Sequence, residues 1–201
     1  FINRDNETYR GMDFNANYDQ AFSMGTRASS IGVDFVAHKQ LEASELYVDD
    51  NGNENFFESL GNRFYPEWKA KISLRWDIDD FRFTWVTDYR GKTRQPDVYR
   101  DDFDNIYGSA GTGFFADTCY GPPEDVNCRD YADIDSYYLH STSLYWYGDT
   151  FTFGLGIRNV FDEEPPKVDG NEVWNSINNR PIGIGYNLMG RTYFANFVWK
   201  L

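Results

Sequence analysis

The sequence predicts an all-β protein in which antiparallel strands form a transmembrane β-barrel wall between lipid and a watery interior. Seven segments alternate apolar and polar residues with the period of two that is typical of strands. Their connections alternate between short turns and long polar loops, which is the asymmetry of a transmembrane barrel. No apolar run approaches the roughly 20 residues that a membrane helix needs, so we expect any membrane contact to come through strands.

The first two predicted strands span residues 9–18 and 27–40, with a short connection at residues 19–25. In both strands every second side chain is apolar or aromatic over most of the length. An acidic loop is expected from residue 41 to residue 63. Its segment at residues 49–53 reads DDNGN, where the glycine comes too early for a calcium loop, so we expect an Asn/Gly turn.

The next two predicted strands, residues 66–78 and 81–94, are joined by a two-residue turn at Asp79-Asp80. This register pairs apolar residues on one face and opposite charges on the other, and a shift of one residue would destroy both sets. The expected pairs are Trp76–Phe83, Leu74–Trp85 and Ala70–Tyr89 on the apolar face and Asp77–Arg82, Lys71–Asp88 and Glu67–Lys92 on the polar face.

A second hairpin is predicted for residues 134–147 and 150–161, with Gly148-Asp149 as the turn. Glycine in the first turn position suits a type II′ turn. The expected pairs are Trp146–Phe151, Leu144–Phe153 and Thr142–Leu155. On the second strand one face carries aromatic and aliphatic residues, and the opposite face carries mainly small residues. This arrangement suits a wall with lipid on one side.

The last predicted strand spans residues 191–201 and alternates to its end. One face carries Tyr193, Ala195, Phe197, Trp199 and Leu201. With seven strands, the short turns lie at one end and the loops at residues 41–63, 95–133 and 161–189 at the other. We therefore expect periplasmic turns, extracellular loops and a periplasmic carboxy terminus. A β-sandwich core would also give such pairs, but it would not explain this alternation of connection lengths.

Charge and cysteine content narrow the possible functions. The net charge is −13, and the acidic residues concentrate in the three long loops, which argues against a nucleic-acid binder. Cys119 and Cys128 lie in a loop-like stretch without a histidine or a further cysteine beside them. We therefore expect a local disulfide in an oxidising compartment rather than a zinc site.

Four segments resemble the carboxy-terminal part of TonB-dependent outer-membrane receptors. They are GLGIRNVFDEEPPKV at residues 154–168, YNLMGRTYF at residues 186–194, GMDFNANY at residues 11–18 and PEWKAK at residues 66–71. The resemblance is most specific near the carboxy terminus and weak in the long loops. It departs from the family at Leu201, where barrels of this type usually end in an aromatic residue.

The resemblance implies that residues 1–201 are the carboxy-terminal portion of one outer-membrane β-barrel domain, the last seven strands of a plugged barrel of about 22 strands. The plug is absent from this sequence. The implied function is uptake of a scarce nutrient, such as a siderophore, cobalamin or oligosaccharide, by TonB-coupled transport in a Gram-negative bacterium. The implied partners are outer-membrane lipid and lipopolysaccharide, the TonB complex through the missing plug, and the nutrient. No cofactor is implied.

Two sets of residues are candidate contact sites. A basic wall is predicted on the polar face, where it would contact either the plug or an anionic solute. Its members are Lys69, Lys71, Arg75, Arg82, Arg90, Lys92 and Arg94. Aromatic residues of the loops could stack on a sugar ring or an aromatic chelator, or they could pack the loops together. They are Phe56, Phe57, Tyr99, Tyr107, Phe114, Phe115, Tyr120 and Trp174.

No catalytic constellation emerges from the sequence, and we do not expect an enzyme. His38 and His140 lie in separate strands, and the serines at residues 141–143 lie inside a strand without a nucleophile turn. Two other functions remain open. One is an outer-membrane barrel enzyme, and the other is a secreted carbohydrate-binding β-sandwich.

Overall fold

The computed structural model describes residues 6–49, 51–94, 133–166, 176–177, 180–181 and 184–200. Twelve strands occur in these ranges: β1 (Asn6–Met24), β2 (Arg27–Val48), β3 (Glu54–Glu58), β4 (Trp68–Ile78), β5 (Phe81–Arg90), β6 (Thr93–Arg94), β7 (Asp133–Ile134), β8 (Tyr137–Tyr147), β9 (Phe151–Arg158), β10 (Ser176–Ile177), β11 (Arg180–Pro181) and β12 (Thr192–Trp199). The described part of the chain is thus all-β. It contains no helix that is long and apolar enough to cross a membrane.

One antiparallel sheet contains most of these strands. Its order is β1-β2-β4-β5-β8-β9-β12, and β3 pairs with β2 beside this path. The short strands form two separate pairs, β6 with β7 and β10 with β11. Among the described residues β1 and β12 are the two edges of the sheet, and no closed barrel forms. The predicted antiparallel all-β architecture is confirmed, and each of the seven predicted strands corresponds to one strand of the path.

The first turn is tighter than expected. β1 continues to Met24, which pairs with Arg27, so only two residues connect β1 to β2. Gly25 has a φ of 66°, a left-handed conformation that glycine adopts without steric cost. The prediction of a connection at residues 19–25 was therefore wrong, because the polar residues before Gly25 still pair in the sheet.

The predicted acidic loop at residues 41–63 was also wrong over most of its length, because residues 41–48 and 54–58 are in strands. β2 runs on to Val48 and turns back into β3, with Ser44 opposite Glu58 and Val48 opposite Glu54. The glutamates of this stretch interrupt the apolar alternation, yet Glu42 forms an ion pair with Arg10 of β1 at 3.1 Å. Phe56 and Phe57 accordingly belong to β3 and not to a loop.

The turn between β2 and β3 is an Asp/Asn/Gly turn, as expected. The carboxylate of Asp49 accepts hydrogen bonds from the backbone N–H groups of Asn51 at 2.9 Å and Asn53 at 2.8 Å. The side-chain amide of Asn53 donates to the other carboxylate oxygen at 2.9 Å. Gly52 has a φ of 86°, which the turn requires.

The register of the β4–β5 hairpin is confirmed. Ile78 lies opposite Phe81 around the two-residue turn, and the predicted apolar and charged pairs follow. They are Trp76–Phe83, Leu74–Trp85, Ala70–Tyr89, Asp77–Arg82 and Lys71–Asp88. Glu67 and Lys92 lie beyond the ends of the two strands.

The register of the β8–β9 hairpin differs from the prediction by two residues. Leu144 lies opposite Leu155 rather than Phe153, and Tyr147 lies opposite Thr152. Gly148 does not have the positive φ that a type II′ turn needs at this position. The connection is therefore longer than two residues. Because the shift is even, each side chain stays on its predicted face.

Candidate functional site

The sheet separates two chemically different faces through all seven strands. The pairings place side chains in rows that run across the sheet. Two rows of the apolar face are Tyr18–Val33–Leu74–Trp85–Thr142–Ile157–Tyr193 and Phe22–Ser29–Ile78–Phe81–Trp146–Phe153–Phe197. One row of the polar face is Asn17–Asp34–Ser73–Val86–Ser141–Arg158–Thr192.

Among the described residues the apolar face is largely exposed. Phe83 is 39% exposed, Phe153 43%, Leu144 50% and Phe197 64%. The buried apolar residues of the described chain are few: Ala37, Ala43, Ile134, Tyr137 and Tyr186. A soluble monomer rarely leaves an apolar patch of this extent in water, and patches of this kind are typical of interaction surfaces.

Aromatic rings contact one another at several places on the apolar face. Near the short turns, Phe151 stacks on Phe197 with ring centroids 5.5 Å apart. Near the opposite end, the His140 ring lies 5.6 Å from Trp85 and 5.1 Å from Phe161. Trp76 and Phe83 lie in the row between these clusters, so aromatic rings occur at several heights of the apolar face.

His140 also makes polar contacts on this face. Thr87 Oγ1 lies 2.9 Å from His140 Nδ1 and accepts a hydrogen bond from Trp85 Nε1 at 3.1 Å. His140 thus lies among rings and a hydroxyl group on the apolar face.

The polar face contains most of the predicted basic wall. Lys69, Lys71 and Arg75 project from β4, and Arg82 and Arg90 project from β5. The other two members lie elsewhere. Arg94 belongs to β6, where its backbone N–H donates to the Gly61 carbonyl at 2.8 Å, and Lys92 follows the end of β5. The wall is therefore shorter than the sequence predicted, because β5 ends at Arg90.

Several basic residues of the wall are paired with carboxylates. Arg82 Nε donates to Asp77 Oδ1 at 2.6 Å, and Arg75 Nε lies 3.3 Å from Asp77 Oδ2. Arg75 also forms an ion pair with Asp19 of β1. Lys71 lies 3.6 Å from Asp88. Within the described residues, Lys69 has no carboxylate partner.

An open pocket of about 630 Å³ lies on the polar face at the level of Lys69 and Arg90. Strands β1, β2, β4, β5 and β8 form its floor, and Ile184 and Gly185 lie at its side. The volume falls in the range of small-molecule pockets, about 300–1,000 Å³.

The sequence did not reveal one part of this pocket. His38 Nδ1 lies 2.7 Å from Asp13 Oδ1, and His38 Nε2 lies 2.9 Å from Gln40 Oε1. Asp13 lies directly opposite His38 in the β1–β2 register. A turn placed at residues 25–26 would have shown this pairing from the sequence.

The remaining predicted contact residues are only partly described. Phe56 is 67% exposed, and Phe57 is half-buried on the other side of β3. Tyr99, Tyr107, Phe114, Phe115, Tyr120 and Trp174 lie outside the described residues, as do Cys119 and Cys128. The described residues contain no group of three or more His, Cys, Asp or Glu side chains that could hold a metal ion.

No protein-family model, curated protein or solved structure matches the chain.

Proposed function

We propose that this chain forms part of the barrel of an outer-membrane receptor that takes up a scarce nutrient by TonB-coupled, energised transport. The apolar face contacts lipid, and the polar face lines a watery interior. The short turns lie in the periplasm and the long connections lie outside the cell. The observation that carries this proposal is the exposed, predominantly apolar face, which extends across seven paired strands.

Strand lengths support a membrane span. β4 has 11 residues, β5 has 10 and β8 has 11. A tilted transmembrane strand needs about 9–11 residues. Along β5 the apolar face runs from Phe81 near the turn to Tyr89 near the other end, so the apolar positions extend over the whole length of the strand.

A secreted β-sandwich is the less favoured alternative. In a sandwich, a second sheet covers the apolar face of the first at about 10 Å. Among the described strands the two further sheets are pairs of two-residue strands, which are too small for this purpose.

Arginine substitution at two adjacent positions tests the membrane assignment. Leu144 lies on the apolar face, and Ser143 lies on the polar face beside an open pocket with room for a larger side chain. In lipid, Leu144→Arg should destabilise the protein by about 2–4 kcal/mol, whereas Ser143→Arg should cost much less. In water Leu144 is already half exposed, so both substitutions would stay within about 0.5 kcal/mol.

The measurement is denaturant unfolding of the full-length protein in phospholipid vesicles, followed by tryptophan fluorescence. Equal stabilities of the two variants would contradict a lipid-facing position for Leu144. Energised transport is tested separately by uptake of a labelled ferric siderophore, cobalamin and maltodextrin into cells. Uptake that depends on this protein and continues after a protonophore is added would contradict TonB coupling.

A further inference from the structure

One row of the polar face contains an unbalanced set of charges. The row is Asp13–His38–Lys69–Arg90–Tyr137, contributed by β1, β2, β4, β5 and β8. Lys69 and Arg90 lie directly opposite each other in the β4–β5 register. Two like charges in such a pair destabilise a sheet unless an anion offsets them.

Asp13 does not supply that anion, because it is paired with His38. The side-chain N–H₂ of Gln40 donates to the carbonyl oxygens of Glu42 at 2.7 Å and Arg10 at 3.3 Å. The Gln40 amide oxygen is therefore the atom that faces His38 Nε2, and it can only accept a hydrogen bond. His38 Nδ1 faces a carboxylate oxygen, so a ring protonated on both nitrogens satisfies both contacts. Such a ring balances the charge of Asp13.

The second carboxylate in the pocket is also paired. Asp88 lies in the next row with Lys71, 3.6 Å from its ammonium group. Asp13 and Asp88 are the acidic residues that line the pocket among the described residues. Two positive charges, those of Lys69 and Arg90, are left over.

Arg90 is held in place for binding. Its Nη2 donates to the Arg63 carbonyl at 2.7 Å, and its guanidinium lies 5.0 Å from the centroid of the Tyr186 ring. These contacts use one edge and one face of the guanidinium, and its buried Nε atom has no hydrogen-bond partner within the described residues. A fixed guanidinium beside a flexible lysine is a suitable arrangement for carboxylate or phosphate oxygens.

We propose that Lys69 and Arg90 bind the carboxylate or phosphate group of a small organic anion on its way along the polar face. The proposed anion would be the substrate class of the transporter, and this physiological role rests on the proposed function. Binding itself requires only the pocket. The pocket of about 630 Å³ accommodates a drug-sized or smaller solute.

Equilibrium binding of citrate to the full-length protein in detergent tests the proposal, with inorganic phosphate as a second probe. Lys69→Gln should weaken citrate binding about tenfold, which corresponds to about 1.4 kcal/mol. Adding Arg90→Gln should weaken it further. The matched control is Lys39→Gln, which removes the same charge from the opposite face, where Lys39 lies over the Trp68 ring at 5.2 Å. Its affinity should stay within a factor of two of the native value.

Citrate binding that Lys69→Gln leaves unchanged would overturn the proposal. The proposal would also be overturned if the native protein bound neither citrate nor phosphate. That result is expected if a carboxylate of a polypeptide plug occupies this site. Because these measurements are made in detergent, they are independent of the vesicle unfolding and uptake experiments. Loss of the anion site would therefore be distinguishable from failure of the transporter assignment.

Discussion

Asp77 and Arg82 face each other across the β4–β5 hairpin, with the carboxylate accepting from the guanidinium at 2.6 and 3.3 Å. Ser30 of β2 donates to the same carboxylate at 3.2 Å, and Arg75 lies on its other side at 3.3 Å. A single carboxylate thus joins β2, β4 and β5 on the polar face. Its contacts are more numerous than those of any pair further along the hairpin, such as Lys71 with Asp88.

Asp77→Ala should lower the free energy of unfolding by about 1–3 kcal/mol, because it leaves two neighbouring arginines without their shared anion. The matched control is Asp88→Ala. That carboxylate is 47% exposed and 3.6 Å from its partner, so its loss should cost less than about 1 kcal/mol. Denaturant unfolding in detergent micelles measures both. Equal losses would show that the Asp77 network adds nothing beyond a surface ion pair.

Gly156→Ala should destabilise the sheet by about 1–3 kcal/mol through overpacking. Gly156 lies directly opposite Phe194, and a Cβ atom at this position would overlap the Phe194 ring. The Phe194→Ala background removes the ring, so there Gly156→Ala should cost much less. A double-mutant cycle in unfolding free energies gives the coupling. Additive effects of the two substitutions would contradict the close contact.

Cysteine pairs can check the register of the β8–β9 hairpin. In a Cys119→Ser/Cys128→Ser background, Leu144→Cys with Leu155→Cys should form a disulfide readily, because these residues are directly opposite. Leu144→Cys with Phe153→Cys is the control. That diagonal pair should be separated by about 7–8 Å and should crosslink poorly. Preferential crosslinking of the control pair would contradict the observed register and support the two-residue turn predicted from the sequence.

The Asp49 turn should make the β2–β3 hairpin sensitive to acid. Hydrogen bonds from the Asn53 side chain and backbone hold the pKa of the Asp49 carboxyl below its ordinary value. The stabilisation is therefore complete above the ordinary pKa of about 3.9 and is lost as the pH falls through the lower folded value. Amide hydrogen exchange of β3 should show this loss of protection. Asp49→Ala should remove the pH dependence, whereas Glu54→Gln should retain it.

The sequence predicted the register of a hairpin correctly where the side chains on both faces restricted the pairing. In β4–β5, apolar pairs on one face and opposite charges on the other agree on a single register. In β8–β9, the polar face offers Gly154 and Gly156, which accept several neighbours equally well, so only the turn remained to set the register. The glycine there suggested a turn type that its backbone does not adopt.

The candidate site shows the same limitation. The prediction placed Lys69 and Arg90 together in the basic wall, because the β4–β5 register was clear. It missed Asp13 beside His38, because the polar residues before Gly25 resembled a loop. The glutamates that follow Leu41 hid the continuation of β2 for the same reason. Charged side chains are tolerated in strands wherever the strand face meets water, and composition alone cannot show this.

β2 does not stop where its neighbour β4 begins. Lys39 is its last residue paired with β4, yet the strand continues to Val48, a further rise of about 30 Å at about 3.3 Å per residue. In the proposed orientation, β1, β2 and β3 extend beyond β4 on the extracellular side, and the exposed ring of Phe56 lies near the far end of this extension. A molecule that arrives from that side would therefore meet Phe56 before it reaches Lys69 and Arg90, which pair at the level where β4 begins.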